Sequence, residues 1–266
     1  MKSIGQNQAQ KPIYTPNNCN PSYKLLWSLT LFWREPHNST NWLNELKSST
    51  EKDGVRILNH RTTQSRISQF LISTRPAVYP RDLIKSVKGR LQHVIQKINP
   101  KAFQRNYFLH SIGAAKREVV EGYVANQLDH HRMADHKVQA KLSRYQIRNH
   151  DVNLSQSINS AHGKYIYNLH LVLVHVERRV EIRDDILNKV RDMIIAVAKK
   201  KEHRLSAAGI FTDHIHIALG CSINESPQDV ALGYLNNLAY AWGMKAIYQA
   251  GYYIGTFGEY DTGAIP

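Results

Sequence analysis

The sequence has few cysteines, no long apolar run and a shortage of acidic residues, and each absence excludes a class of protein. Its two cysteines, Cys19 and Cys221, are too few for a disulfide framework or a cysteine-based zinc site. No stretch approaches the roughly 18 consecutive apolar residues of a transmembrane helix. Residues 1–14 contain no apolar segment, so we expect no secretory signal. These absences predict a protein of the reducing cytoplasm without a membrane partner.

Acidic residues are outnumbered, and the imbalance is confined to one half of the chain. There are 35 Lys and Arg against 21 Asp and Glu, a formal net charge of +14. Residues 1–150 contain 24 of the 35 basic and 9 of the 21 acidic residues, whereas residues 151–266 are nearly neutral. A basic half beside a neutral half favours a polyanionic partner, with nucleic acid as the first candidate. The alternative is a soluble protein that is merely basic.

What the sequence does contain is an internal repeat of the order strand–helix–strand–strand–helix–strand, which predicts an α+β fold with two tandem domains. A polar arm, residues 1–22, precedes the first copy, residues 23–128. A polar linker, residues 129–162, separates it from the second copy, residues 163–266. Each copy has a helix that begins at a proline, and only the first copy continues into a further helix at its end.

His214 and His216 lie two residues apart in the apolar strand FTDHIHIALG. Side chains two apart on a strand share one face, so this pair can bind a divalent metal ion. A structural role in the strand is the alternative. The preceding Asp213 is expected to point to the opposite face.

Tyr123 and Gln127 lie four residues apart in the helical segment REVVEGYVANQLDHH, and therefore share one face of the helix. The alternative is a packing stripe with a polar edge. Gly122 weakens this helix by about 1 kcal/mol relative to alanine, which suggests that the helix backbone closely approaches something there.

The segment FTDHIHIALG, followed by SPQDVALGYLNNL and GYYIGTFG, resembles the core of the IS200/IS605 family of single-tyrosine (Y1) HUH transposases. NYFLHSIGAAKREVVEGYVANQ resembles the C-terminal stretch of the same family. The resemblance implies two ferredoxin-like domains with antiparallel sheets flanked by helices. It also implies that His214, His216 and Gln127 hold Mg²⁺ or Mn²⁺, and that Tyr123 is the nucleophile.

Each copy lacks what the other keeps. Alignment of Pro80 with Pro227 places Ile67 and Gln69 where the histidine pair stands, and the second copy has no tyrosine helix. Members of the family act as dimers in which the tyrosine helix of one subunit completes the histidine site of the other. The resemblance therefore implies a pseudo-dimer in one chain with one composite active site. Decay of two inactive copies is the alternative.

The activity implied is cleavage and strand transfer of single-stranded DNA, often beside a hairpin, through a 5′-phosphotyrosine intermediate. The setting implied is the prokaryotic cytoplasm, at the nucleoid. Two alternatives stay open: a domesticated, non-catalytic protein that binds hairpin or single-stranded DNA, and a phosphodiesterase that uses water at the histidine pair. The basic first copy is expected to hold the DNA, through Arg56, Arg61, Arg66, Arg75, Arg81, Lys85, Lys88 and Arg90.

Overall fold

The structure is a computed structural model that describes residues 11–113, 116–130, 136–243 and 245–259. The side chains of Gln127, Asp129 and His130 are also outside the described part. Parts of the predicted arm, linker and second copy therefore lie outside the described residues. None of the described helices is long and apolar enough to cross a membrane.

The first copy contains five strands and three helices. In chain order they are β1 (Ser22–Lys24), β2 (Leu26–Trp33), α1 (Leu43–Glu51), β3 (Val55–Thr63), β4 (Ile67–Thr74), α2 (Pro80–Ile95), β5 (Phe103–Ile112) and α3 (Arg117–His130).

The remainder of the chain continues with α4 (His136–Leu142), β6 (Ile147–Arg148) and β7 (Ile158–Ser160) in the segment between the copies. The second copy follows with β8 (Gly163–Ile166), β9 (Asn168–His175), α5 (Asp184–Lys200), β10 (Arg204–Ile210), β11 (His214–Gly220), α6 (Pro227–Ala241) and β12 (Tyr248–Thr256).

The strands form two six-stranded sheets, in the orders β1-β12-β9-β11-β10-β6 and β3-β4-β2-β5-β8-β7. Four strands of each sheet, β12-β9-β11-β10 and β3-β4-β2-β5, are antiparallel and follow the ferredoxin-like order. Alternation along each strand separates two faces. On β9, for example, Leu169, Leu171 and Leu173 are buried in the main core together with α5 and α6. The predicted fold, two tandem ferredoxin-like domains, is confirmed.

The two copies exchange their first strands. β1 pairs in parallel with β12, so that Ser22 faces Tyr253, and β8 pairs in parallel with β5, so that Lys164 faces Phe108. The exchange covers an edge strand of each copy, where unpaired backbone groups would otherwise face solvent. Each copy therefore completes the sheet of the other, and the relation between them is a pseudo-twofold one.

Two hydroxyl groups join the copies at this pseudo-twofold axis. The Ser111 Oγ donates to the Phe257 carbonyl at 3.0 Å and accepts from the Asn168 N–H at 2.9 Å. The Thr256 Oγ1 donates to the Ile112 carbonyl at 2.7 Å and accepts from the Leu26 N–H at 2.7 Å. Corresponding atoms of the two copies thus make the same bonds in both directions.

Two segments expected to lie outside the copies are packed against them. Tyr14 of the N-terminal arm is buried, and its hydroxyl donates to the Tyr248 carbonyl at 2.7 Å. Within the interval 129–162, β6 pairs with β10 and β7 pairs with β8. Burial of the Tyr14 ring therefore anchors the described part of the arm, residues 11–22, on the second copy.

Replacement of Thr256 by valine tests the pseudo-twofold junction. We expect Thr256→Val to lower the free energy of unfolding by about 1–3 kcal/mol, because the Leu26 N–H loses its acceptor and the Ile112 carbonyl its donor. Urea denaturation measures this change. The matched control is Thr62→Val at an exposed position of β3, which should change the free energy by less than about 0.5 kcal/mol. Equal effects of the two substitutions would contradict a special role for Thr256.

Candidate active site

His214 and His216 project from β11 onto the sheet face opposite the α5–α6 layer. Their ring centroids are 5.1 Å apart. The expected shared face is therefore present. Between them Ile215 points the other way and is buried in the main core, because alternate residues of a strand lie on opposite faces.

His170 is a third histidine at this site, and it was not anticipated from the sequence. It lies on the neighbouring strand β9, and its Nε2 is 3.0 Å from the Nδ1 of His216, with the two rings stacked at 5.2 Å. Burial lowers the pKa of His170 to about 4, so the ring is neutral near pH 7 and has one donor and one acceptor nitrogen. The available signal was a histidine inside the apolar strand NLHLVLVH.

Asp213 contacts His214 directly, contrary to the expected opposite orientation. Its Oδ1 lies 2.6 Å from the Nδ1 of His214, and its Oδ2 pairs with Arg178 at 3.2 Å. The strand begins only at His214, so alternation does not govern Asp213. Burial alone would raise the pKa of Asp213, but the hydrogen bond from His214 and the charge of Arg178 outweigh it and lower the pKa. The carboxylate thus fixes the Nδ1–H tautomer of His214.

The tyrosine helix of the first copy lies on the histidine face of the second. Tyr123 on α3 is 42% exposed, and its ring centroid is 5.7 Å from that of His216 and 6.4 Å from that of His170. The chain therefore brings together residues about 90 positions apart in the sequence. The predicted nucleophile therefore shares one site with two of the predicted metal ligands, His214 and His216.

Polar contacts fix α3 on this sheet. Glu121 accepts a hydrogen bond from Ser206 on β10 and pairs with Arg117 at 2.7 Å. Arg148, in the segment between the copies, donates from its Nη2 to the Ala125 carbonyl at 2.6 Å. These groups set the position of the helix and hence the position of Tyr123.

Gly209 on β10 allows α3 to approach the sheet. A Cβ at this position would lie 2.8 Å from the Phe211 ring and 3.1 Å from the Val124 carbonyl oxygen. A glycine inside a strand is typical of such a close approach. By contrast, a Cβ at Gly122 would have nothing within 4 Å. The expected close approach at Gly122 is wrong, because Gly122 lies on a part of α3 that does not face the sheet.

Two imidazoles at this spacing fit a shared metal ion. Nitrogen–metal bonds of about 2.1 Å would place two ring centres about 5 Å apart, close to the observed 5.1 Å between His214 and His216. The contact of Asp213 with the Nδ1 of His214 favours the tautomer whose Nε2 is the ligand atom, a common arrangement around metal-binding histidines. The Nε2 of His216 is available in the same way when its Nδ1 donates to His170.

The third predicted ligand, Gln127, belongs to α3, four residues after Tyr123, but its side chain lies outside the described part. Among the described residues, no group of three or more His, Cys, Asp or Glu side chains is placed to hold a metal ion. A site of two histidines therefore needs a ligand of another type, and the Gln127 assignment stays a prediction.

The strand positions of the first copy that correspond to His214 and His216 are Ile67 and Gln69, although His110 on β5 lines the cavity beside them. Gln69 on β4 pairs with Thr30 on β2, as His216 pairs with Val172 on β9. The Gln69 Nε2 donates to Ser28 Oγ at 2.9 Å, whereas His216 contacts His170. We call this place, formed by Ser28, Ile67 and Gln69, the second site.

Most of the eight basic residues expected to hold DNA already have partners within the protein. Arg56 pairs with Glu51, and Arg90 pairs with Asp53, both at 2.6 Å. Lys88 donates to the main-chain carbonyls of residues 104 and 105, and burial lowers its pKa. DNA binding by this set stays a prediction. Its remaining members are Arg61, Arg66, Arg75, Arg81 and Lys85.

Comparison with known proteins relates both copies to one family. The sequence profile of the family described as "Transposase IS200 like" matches residues 37–127 and 164–265. These two segments make up more than two thirds of the chain. No curated protein matches the sequence.

Two solved structures are similar to parts of the chain. One is a REP-associated tyrosine transposase bound to a REP hairpin, with 15% identity and a TM-score of 0.31 over 35% of this chain. The match spans 57% of that transposase. The other is a putative transposase from Deinococcus radiodurans, with 16% identity and a TM-score of 0.30 over 40% of this chain and 92% of that one.

Alanine at the two glycines should have opposite effects on stability. We expect Gly209→Ala to lower the free energy of unfolding by about 1–3 kcal/mol, because its Cβ overlaps the Phe211 ring and crowds the Val124 carbonyl. We expect Gly122→Ala to raise it by about 0.5–1 kcal/mol, because alanine is the better helix former and open space surrounds the Cβ. Urea denaturation of both variants measures the difference. A destabilised Gly122→Ala or a neutral Gly209→Ala would contradict the packing described for α3.

Proposed function

The chain belongs to the IS200-like transposase family, and on this basis we propose that it cleaves and rejoins single-stranded DNA at one composite active site. The observation that carries the proposal is the position of Tyr123 from the first copy, 5.7 Å between ring centroids from His216 of the second. We assign Tyr123 as the nucleophile and His214, His216 and Gln127 as the metal ligands.

The proposed reaction exchanges one phosphate ester for another. The Tyr123 oxygen, after loss of its proton, bonds to the scissile phosphorus while the bond from phosphorus to the 3′ oxygen breaks. The 3′ oxygen takes up a proton and leaves as a hydroxyl, and the 5′ end stays on Tyr123 as a phosphotyrosine. Because the number of phosphate ester bonds is unchanged, the 3′ hydroxyl of another strand can reverse the step without ATP.

The chain's own residues prepare this exchange. Glu121 and Arg148 hold α3 against the sheet, which fixes where Tyr123 meets the phosphate. Asp213 and His170 orient the two histidines toward the ligand position. A divalent ion there would withdraw charge from the phosphate oxygens. Two imidazoles and one amide oxygen leave the site weakly charged and open to phosphate oxygens, and we assign the ion as Mg²⁺ or Mn²⁺.

The proposed substrate is single-stranded DNA that contains a hairpin, and the basic first copy is its main holding surface. The proposed functional unit is one chain, with residues 23–128 and 163–266 acting as the two subunits of a pseudo-dimer. The proposed location is the prokaryotic cytoplasm, at the nucleoid, where such DNA occurs.

Removal of one hydroxyl tests the nucleophile. We expect wild type with Mn²⁺ and single-stranded hairpin DNA from beside its own gene to form a covalent adduct on a denaturing gel. Tyr123→Phe should lower adduct formation by about 1000-fold or more, because no other group supplies the attacking oxygen. Tyr240→Phe, an exposed tyrosine on α6, is the matched control and should behave as wild type. DNA binding by wild type without an adduct would favour the non-catalytic alternative, and a cut product without an adduct would favour the water-dependent one.

Mixing two inactive variants tests whether the composite site lies within one chain. We expect Tyr123→Phe and His216→Ala, each inactive alone, to stay inactive when mixed. The reason is that the first-strand exchange and the Ser111 and Thr256 hydrogen bonds pair the two copies of one chain with each other. The tyrosine helix of one chain therefore does not reach the histidines of another. Adduct yield on the same hairpin measures the result. Recovery of activity in the mixture would show that α3 reaches the histidines of another chain.

A further inference from the structure

A cavity of about 620 Å³ lies over the second site. Its wall includes Gln69 and Phe108 from the first copy, Leu154 from the segment between the copies, and Asn168 and Gly258 from the second. This volume is in the usual range of small-ligand sites, roughly 300–1,000 Å³. On the second copy the corresponding sheet face is covered by α3, and among the described residues no helix has that position over the second site. Among the described residues, the second site is therefore a concave surface.

Two phenylalanine rings give this cavity flat apolar walls. Phe32 and Phe108 both line it and are only partly buried. Phe108 corresponds in strand register to Tyr253, whose ring packs 5.9 Å from His170 in the active site. Partly exposed aromatic faces in a concave site favour a planar ligand that stacks on them.

One polar group in the wall lacks a partner. The Asn168 side chain is fully buried, and its Nδ2 donates to the Leu154 carbonyl at 3.1 Å. Its Oδ1 has no hydrogen-bond partner among the described residues. A buried acceptor without a donor is unfavourable, so a ligand that presents an N–H group at this wall is preferred over a purely apolar one.

The Gln69 amide, in contrast to that of Asn168, has a hydrogen-bond partner for both of its polar atoms. Its Oε1 accepts from Arg61 Nε at 2.9 Å and its Nε2 donates to Ser28 Oγ at 2.9 Å. The amide that replaces the metal-binding His216 is thus held from both sides. Because both polar atoms of the Gln69 amide are already hydrogen-bonded, this part of the cavity wall is not a metal-binding site.

We propose that the second site binds one unpaired base of the DNA substrate and does not cut the strand. A nucleobase is planar and carries N–H donors on its edge, which matches the phenylalanine rings and the Asn168 Oδ1. Its sugar and phosphate stay outside, beside the basic first copy. The inference rests on the proposed function in one respect, that DNA is the polymer which supplies the base. The former catalytic position then anchors the strand while the composite site acts on it.

The test uses the full chain and the four deoxynucleoside 5′-monophosphates dAMP, dCMP, dGMP and dTMP as probes. Saturation-transfer NMR reports which protons of each nucleotide contact the protein. We expect base protons of at least one nucleotide to receive saturation with wild type. Phe108→Ala and Phe32→Ala should each weaken that binding by about tenfold, in line with the loss of one stacked base contact.

Two controls separate this site from the active site and from surface aromatics. Binding is measured without a divalent metal ion, so that the proposed metal site does not hold the nucleotide phosphate. Tyr240→Ala on the exposed face of α6 should leave nucleotide binding unchanged. Thermal unfolding of each variant shows whether it is folded. Because the two rings are removed in separate variants, the test can still be made if one of the variants does not fold. Nucleotide binding that is unchanged in both phenylalanine variants, binding that is lost in Tyr240→Ala, or no contact of any base with wild type would each overturn the proposal.

The outcome is independent of catalysis. Adduct formation at Tyr123 without ring-dependent base binding would refute the second-site proposal and leave the proposed function standing. Ring-dependent base binding without an adduct at Tyr123 would refute the proposed function and leave the second-site proposal standing.

Discussion

The hydrogen bonds of the Ser111 and Thr256 hydroxyls across the pseudo-twofold axis are the constraint on which the rest of the structure depends. Each hydroxyl donates to a carbonyl of the other copy. The chain leaves β5 directly after Ile112, and a Cβ at Gly113 would lie 2.7 Å from the Thr256 carbonyl oxygen. Glycine therefore lets the backbone of the first copy run against that of the second. From there α3 is directed onto the neighbouring sheet.

The same geometry explains why one chain can have two similar frameworks and one candidate site. Strand exchange and the central bonds are reciprocal, so the backbone offers two equivalent places. Side chains make them different, with His216 in one place and Gln69 in the other. Chemistry depends on side chains placed on a fold rather than on the fold itself. Equivalent strand positions can thus have different side chains while the backbone pairing stays the same.

The apolar periodicity of the sequence and the positions of its prolines were sufficient to predict the order of the main helices and strands in each copy. The helices at Pro80 and Pro227 begin where expected, since proline suits the first turn of a helix. The breaks between β1 and β2 and between β8 and β9 were not predicted. There the buried residues Leu25 and Tyr167 continue the apolar pattern while the backbone passes from one sheet to the other. No local pattern records such a change of partner.

For the candidate site, the sequence by itself determined which residue types were available and on which face of a strand or helix each would lie. His214 and His216 share a face because side chains alternate along a strand. The tertiary structure alone decided that Tyr123 meets them, and that His170 and Asp213 orient them. The physical reason is distance along the chain. Periodicity fixes neighbours within an element, whereas contacts between α3 and β11 depend on how the two copies pack.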